Sequence, residues 1–232
     1  MKLRVSHPWD VSPQEAERIQ RDLAARVQSS PLPYPPQTIG GVDVSFPRPN
    51  VARAAVVVVR FPDLVPIAQA TAEHLTEFPY IPGLLSFRET PAVLRALEQL
   101  TIWPDLLMCD AQGRAHPRRL GLASHLGVLL DHPTIGCAKS KLIGEYAELG
   151  DQRGAYTWLY DGEEVIGAVL RSREHVQPLF ISVGHRVDLK GAIELTLACC
   201  TRYRLPEPTR LAHQVAAGES VVPPGAQLSL FS

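Results

Sequence analysis

The order of strand-like and helix-like segments constrains the fold of this chain most strongly. The segments TIGGVDVSF, AAVVVVRF and LVPIAQATAEH follow one another closely, and their apolar and β-branched residues predict a three-strand antiparallel meander. From Asp105 onward, strand-like and helix-like segments alternate, which is typical of a sheet that includes parallel strands. We therefore predict an α/β fold in which a mixed sheet, an antiparallel meander plus parallel strands, is flanked by helices.

Local signals predict where some of these elements begin. Thr90 as an N-cap and Pro91 as the first helical residue predict a helix over AVLRALEQL. The preceding segment FPYIPGLLSFRE contains two prolines and a glycine, so we predict that it is irregular, whereas RRLGLASHLGVLLD is predicted to be helical. A chain of 232 residues can bury one good-sized core, so we predict a single domain over residues 1–220 and a flexible tail over 221–232.

The charge pattern limits the classes of protein that fit. The formal net charge is −1, so the molecule as a whole carries no signature of a nucleic-acid partner, although basic residues cluster in several loops. A groove for a polyanion and ordinary solvated loops both fit this pattern. GCAKS lacks the first glycine of a P-loop, and no two histidines have the spacing of a helical zinc pair. Nucleotide hydrolysis and zinc-dependent hydrolysis are therefore not indicated.

Cysteine usage and the length of apolar runs predict the compartment. None of the four cysteines has C-x-x-C spacing, and Cys109 and Cys137 lie in apolar runs, which indicates buried, reduced thiols. The N-terminus has no apolar signal region, and no run approaches 18 uninterrupted apolar residues. We therefore expect a cytoplasmic protein without a membrane span.

Three acidic residues stand out because two of them are tied to core strands. Strand alternation places Asp43 on one face with Gly41 and Ser45, which are too small to cover its carboxylate. An isolated charge there would be costly without a raised pKa or a cation. Asp110 ends an apolar strand and Glu89 precedes Thr90. Carboxylates on separate elements suit Mg²⁺ and phosphodiester hydrolysis, although Glu89 also fits an ordinary acid near a helix N-terminus.

Several long segments together carry a resemblance to a known family. They are GGVDVSF, FPYIPGLLSFRE, the block from PDLL to HPRRLGLASHLG, IGCAKSKLIG, PLFISVGHR and LPEPTRLAH. In this order, over roughly residues 10 to 216, the chain resembles endonuclease V. The resemblance implies a ribonuclease-H-like fold and an Mg²⁺-dependent DNA repair endonuclease, with Mn²⁺ as a substitute. It further implies recognition of deaminated purines, chiefly inosine, and hydrolysis of the second phosphodiester bond 3′ to the lesion.

The resemblance assigns the catalytic group residue by residue. It gives metal coordination and catalysis to Asp43, Glu89 and Asp110. It places His213 near the metal, where a histidine close to a helix C-terminus is the simpler alternative. It gives Lys139 the task of neutralising or orienting the attacked phosphate or the water, with a solvated loop lysine as the alternative.

The resemblance also assigns the contacts to the nucleic acid. The predicted contacts are Tyr80, Ile81, Pro82, Arg88, His116 and Arg118. Tyr80, Ile81 and Pro82 form a rigid apolar tip that can fill the gap left in a base stack when a nucleotide turns out, although cover for the core is the simpler alternative. Arg88, His116 and Arg118 would contact phosphates, although Arg118 also fits a surface charge.

The predicted base pocket consists mainly of small residues, so that main-chain groups can reach the base. Its members are Gly83, Leu85, Ala111, Gly113, Gly136, Ala138 and Leu142. Hypoxanthine has an O6 acceptor and an N1–H donor, and a site that pairs both would leave polar atoms unpaired against adenine. Ala111 departs from the glycine that is usual in the family, so we expect an effect on lesion selectivity.

Partners follow from the same reasoning. DNA with deaminated bases is the expected substrate, and inosine-containing RNA, a broader structure-specific nuclease activity and a binding protein without cleavage are the alternatives. The C-terminal QLSLF, from Gln227 to Phe231, resembles short peptides that bind a sliding clamp, although a tail with incidental apolar residues fits equally well. The protein is expected to act as a monomer.

Overall fold

The computed structural model describes residues 3–222, which contain eight strands and five helices. The strands are β1 Thr38–Arg48, β2 Val51–Arg60, β3 Pro66–Leu75, β4 Leu106–Cys109, β5 Thr134–Ala138, β6 Tyr156–Asp161, β7 Glu164–Leu170 and β8 Leu179–His185. The helices are α1 Pro13–Ala24, α2 Leu85–Glu98, α3 Leu122–Leu130, α4 Leu189–Cys199 and α5 Glu207–Ala216. The clamp-type peptide from Gln227 to Phe231 lies outside the described residues.

All eight strands form one mixed sheet in the order β3-β2-β1-β4-β5-β8-β7-β6. β1, β2 and β3 are an antiparallel meander, β4 pairs parallel with both β1 and β5, and the remaining pairs are antiparallel. The predicted fold class, an antiparallel meander plus parallel strands flanked by helices, is therefore confirmed.

Two apolar layers cover the two faces of this sheet. Alternate residues of β4 belong to different layers, since Met108 packs with α4 and α5 whereas Leu107 packs with α2 and α3. α1 lies outside α2 and α3 and completes a further cluster around Phe87. β4 is thus buried on both faces, which fixes the position of the residue that follows it.

The start of α2 corrects the prediction from Thr90 and Pro91. The helix begins at Leu85, and Pro91 lies inside it rather than at its first position. Leu84 and Phe87 are both 1% exposed, and burying them contributes about 1.5–3 kcal/mol each. This burial offsets a cost of about 3 kcal/mol for a proline in a helix interior.

Three further features bear on the predictions. α3 begins at Leu122, later than predicted, so the arginines before it lie in a loop. All four cysteines are buried free thiols. Among residues 3–222, no helix is long and apolar enough to cross a membrane.

Candidate active site

The pairing of two central strands brings two carboxylates side by side. Val42 of β1 pairs with Cys109 of β4, and the N–H of Asp110 donates to the carbonyl of Val42 over 3.0 Å. Asp43 and Asp110 are the next residues on these neighbouring strands. Glu89, on the second turn of α2, joins them at a small cavity of about 70 Å³ whose wall includes all three side chains.

Burial and neighbouring negative charge raise the pKa values of Glu89 and Asp110. Burial raises the pKa of Glu89 to about 8, with further contributions from the charges of Asp43 and Asp110. Burial also raises the pKa of Asp110, against the opposing effect of the Lys139 ammonium. The charged forms of Glu89 and Asp110 are thus costly here, and a cation would lower that cost.

Two basic side chains reach these carboxylates from other elements. Lys139, directly after β5, forms an ion pair with Asp110. His213 Nδ1 lies 2.7 Å from Asp43 Oδ2, so α5 supplies a hydrogen-bond partner to β1. α5 can approach because β1 has a glycine there, and a Cβ on Gly41 would lie 1.9 Å from the carbonyl oxygen of Pro208.

The donor chemistry of this group fits a hard divalent cation. Oxygen ligands from separate elements are typical of Mg²⁺ sites, and crowded carboxylates are what such an ion stabilises. Over residues 3–222, however, no three His, Cys, Asp or Glu side chains already have the geometry of a metal site. Asp43 and Asp110 are instead directed at His213 and Lys139. Metal coordination by Asp43, Glu89 and Asp110 stays a prediction.

A larger cavity of about 440 Å³ opens directly beside the carboxylates. Asp43 and Asp110 form part of its wall. Five residues of the predicted base pocket also line it: Gly83, Leu85, Ala111, Ala138 and Leu142. A cavity of this size is typical of small-molecule sites and can hold a nucleobase.

Gly113 and Gly136, also predicted for the pocket, lie beneath it and allow close backbone packing. A Cβ on Gly136 would be 2.4 Å from the nitrogen of Gly113, and one on Gly113 would be 2.2 Å from the oxygen of Val183. Sequence reasoning missed Gln20 and Ser86 in the wall. Both are buried polar residues on amphipathic helices, so no local pattern distinguishes them from core positions.

The predicted wedge is an exposed tip on a fixed base. Tyr80 is 71% exposed, and Ile81 and Pro82 line the cavity beside it. The tip ends at Gly83, which has φ +82°, a conformation that favours glycine. The tip therefore projects where a nucleic acid can reach it.

Three donors hold the carbonyl of Gly83, and two of them come from residues that are predicted to contact phosphates. His116 Nε2 lies 2.9 Å away, Arg118 Nη2 2.8 Å and Gln20 Nε2 3.0 Å. The N–H of Arg118 also donates to His116 Nδ1, and Arg118 Nε donates to Gln20. Burial and the nearby arginine lower the pKa of His116 to about 4, so the ring is neutral. His116 and Arg118 therefore anchor the wedge, and their contact with phosphates stays a prediction.

Arg88 is likewise engaged with the protein. Its guanidinium donates to the carbonyl of Phe78 over 2.7 Å and to Asn50 over 3.2 Å, and it lies 4.7 Å from the centre of the Phe46 ring. These contacts tie α2 to the segment that leads into the wedge. The structure assigns Arg88 a supporting position beside the tip.

A mixed sheet with neighbouring acids on two parallel strands, beside a lysine and a base-sized cavity, defines a ribonuclease-H-like nuclease. Comparisons with known proteins agree. The model of the endonuclease V family matches residues 21–214. An endonuclease V from Roseiflexus castenholzii is 52% identical over 217 residues, which are 94% of this chain and 97% of the relative. The chain belongs to the endonuclease V family.

Solved structures of the family superpose closely on this fold. The endonuclease V of Streptomyces avermitilis has 44% sequence identity and a TM-score of 0.86, covering 94% of this chain and 96% of its own. The endonuclease V of Ciona intestinalis, in complex with a 24mer DNA containing an inosine followed by a ribo-adenosine, has 28% identity and a TM-score of 0.76. That match covers 88% of this chain and 95% of the Ciona chain.

Proposed function

We propose that this protein is an Mg²⁺-dependent DNA repair endonuclease that recognises deaminated purines, chiefly the hypoxanthine of inosine. It hydrolyses the second phosphodiester bond 3′ to the lesion. One observation carries the proposal: Asp43 and Asp110 are part of the wall of the base-sized cavity. A base bound there brings the phosphates of its own strand close to the carboxylates.

The relatives support this substrate. The Ciona endonuclease V is bound to DNA that contains an inosine, and the present chain has the same fold over most of its length. The wall of the cavity is mostly apolar and includes a few polar groups. Such a wall suits a flat heterocycle that is held by hydrogen bonds to its edge.

Each side chain of the group has a task in this reaction. Asp43, Glu89 and Asp110 would hold Mg²⁺, or Mn²⁺ in its place, and the ion would activate water and neutralise the leaving oxygen. Lys139, paired with Asp110, carries the positive charge that orients the attacked phosphate. His213 holds Asp43 in position through its hydrogen bond.

The exposed tip formed by Tyr80, Ile81 and Pro82 fills the gap in the base stack when the base turns out. An apolar wedge offsets part of an unstacking cost of a few kcal/mol. Because Gly83 is anchored by three donors, the tip is already ordered, and little further conformational entropy is lost on binding.

Inosine-containing RNA is a second candidate substrate. The strand bound to the Ciona relative carries a ribonucleotide directly after the inosine. A site that accommodates a 2′-hydroxyl there could accept an RNA strand as well. A monomer acting in the cytoplasm remains the accompanying prediction.

A nicking assay tests the proposal. End-labelled DNA and RNA strands carrying inosine, uracil, an abasic site or a normal base are incubated with the enzyme, with and without Mg²⁺. We expect inosine-dependent nicking that requires Mg²⁺ and disappears in Asp43→Ala. Asp22→Ala, which removes an exposed aspartate from α1, is the matched control and retains activity. If wild type and Asp43→Ala nick inosine strands equally, the proposal is wrong.

A further inference from the structure

Three hydrogen-bonded polar side chains, the half-buried His7 and the buried His125 and Ser86, lead from the N-terminal segment to the cavity wall. His7 Nε2 lies 2.7 Å from His125 Nε2, and His125 Nδ1 lies 3.0 Å from the hydroxyl oxygen of Ser86. His125 is fully buried, and Ser86 is 2% exposed and lines the cavity. None of these three residues has a part in the reaction proposed above.

A single carbonyl group determines which atom donates in each hydrogen bond between His7, His125 and Ser86. His7 Nδ1 lies 2.7 Å from the carbonyl oxygen of Pro8, which can only accept, so His7 carries its hydrogen on Nδ1. Burial lowers the pKa of His7, and burial with the neighbouring His7 lowers that of His125, so both rings are neutral.

The remaining hydrogens then follow in order. His7 Nε2 has no hydrogen and accepts from His125 Nε2–H. His125 Nδ1 is consequently an acceptor, and the hydroxyl of Ser86 donates to it. The hydrogen of Ser86 is thereby directed away from the cavity, and its oxygen lone pairs remain to accept.

We propose that Ser86 is a specificity-determining residue whose oxygen accepts the N1–H of hypoxanthine bound in the cavity. The inference rests on the proposed function and deepens it. Adenine has a bare lone pair at N1, so it would face the lone pairs of Ser86 without a hydrogen between them. Such a mismatch leaves polar atoms unpaired in a buried place and disfavours the normal base.

His7 acts through its neighbours and is a positioning residue. Its ring packs 4.4 Å from the ring of Trp9 and 5.3 Å from that of Phe87. The N–H of Arg4 donates to the carbonyl of Leu129 over 2.8 Å, which holds the N-terminal segment against α3. The segment thereby takes part in base selection.

Ser86→Ala tests the contact itself. Nicking is compared on strands that carry hypoxanthine or unsubstituted purine, whose N1 has no hydrogen. We expect the ratio of kcat/KM for the two bases to fall on the order of tenfold, as for one lost hydrogen bond. Ser124→Ala removes an equally buried hydroxyl bonded to the carbonyl of Val183 and leaves the ratio unchanged. An unchanged ratio in Ser86→Ala overturns the proposal.

Two substitutions of His7 test the direction of the hydrogen bonds from Ser86 to His125 and from His125 to His7. In His7→Gln the amide oxygen can still accept from His125, so the base ratio is retained. In His7→Phe no acceptor remains there, the hydrogen of His125 can move to Nδ1, and Ser86 then points its hydrogen into the cavity. We expect the ratio to fall in His7→Phe, and equal ratios in the two variants would contradict the positioning role.

Nitrogen NMR of the histidine rings gives a result that does not depend on activity. In the wild-type protein we expect hydrogen on Nδ1 of His7 and on Nε2 of His125. Hydrogen on Nδ1 of His125 overturns the inference even if inosine strands are nicked. A wild-type enzyme that fails to nick inosine strands contradicts the proposed function instead.

Discussion

Burial shifts the pKa values of Glu89 and His116 in opposite directions, and in both cases it favours the neutral form. The pKa of Glu89 rises to about 8 and that of His116 falls to about 4, so burial favours the neutral form of both groups. For Glu89 the cost of the charged form marks a place for a cation. For His116 the neutral ring has one donor and one acceptor, and both are used to hold the wedge.

The lowered pKa of His116 predicts a loss of stability in acid. Its value in the folded protein, about 4, lies below the ordinary 6.5. As the pH falls through this window, the unfolded chain binds a proton before the folded protein does, so the free energy of unfolding decreases. His116→Gln keeps an N–H donor for Gly83 and does not titrate. Between pH 7 and about pH 5 we expect it to lose about 1–2 kcal/mol less than wild type in denaturant unfolding.

A histidine on the surface provides the control for this measurement. His175 is exposed and has φ +56°, a conformation that asparagine tolerates, so His175→Asn removes a histidine without disturbing a buried contact. That variant should follow the wild-type pH dependence. An identical loss of stability in wild type and His116→Gln would refute the account of the buried ring.

Sequence reasoning reached some of these residues and missed others for physical reasons. Asp43 and Asp110 could be found because strand alternation and strand ends are local patterns. The contacts of His116 and Arg118 with the wedge could not be predicted, because a basic loop looks the same whether it faces solvent or a carbonyl. Their partner, Gly83, lies more than 30 residues away in the chain. Only the fold reveals such a contact.

At the scale of elements, the packing of α5 on β1 determines where His213 lies. Gly41 lies directly under the N-terminal turn of α5, so the helix rests on the strand backbone. Gly41→Ala would force the two apart. We expect a loss of about 3 kcal/mol or more in the free energy of unfolding, the upper end for an overpacked core, together with reduced nicking as His213 moves from Asp43.

Gly150→Ala is a suitable comparison for this helix displacement. A Cβ there would meet only the side chain of Ala155, at 3.3 Å, which can adjust. Denaturant unfolding of both variants should show a large change for Gly41→Ala and a small one for Gly150→Ala. If Gly41→Ala is as stable as wild type, α5 does not rest on β1 as described.

The elements themselves could be predicted where one local signal dominates. The three strands of the meander have alternating or continuous apolar residues and clear turns between them, and the structure agrees. The start of α2 could not be predicted, because Thr90 and Pro91 are a strong local signal for a helix that starts later. Burial of Leu84 and Phe87 by distant residues of α1 and α3 overrides that signal.

For the whole molecule, strand order decides where the site forms. β1 and β4 are parallel neighbours near the middle of the sheet, so Asp43 in the middle of β1 lies beside Asp110, which directly follows the carboxyl end of β4. The sequence indicates that parallel strands exist, but β8 lies between β5 and β7, and nothing local in the chain specifies that position. The single domain over residues 1–220 and the flexible tail over residues 221–232 stay predictions.

The central claim is that one cavity both selects the base and fixes the distance to the cut. The most direct test maps the nick on otherwise identical DNA strands in which a single inosine is moved one nucleotide at a time. We predict that the cut moves with the inosine and stays at the second phosphodiester bond on its 3′ side. A cut whose position does not follow the inosine would contradict the claim.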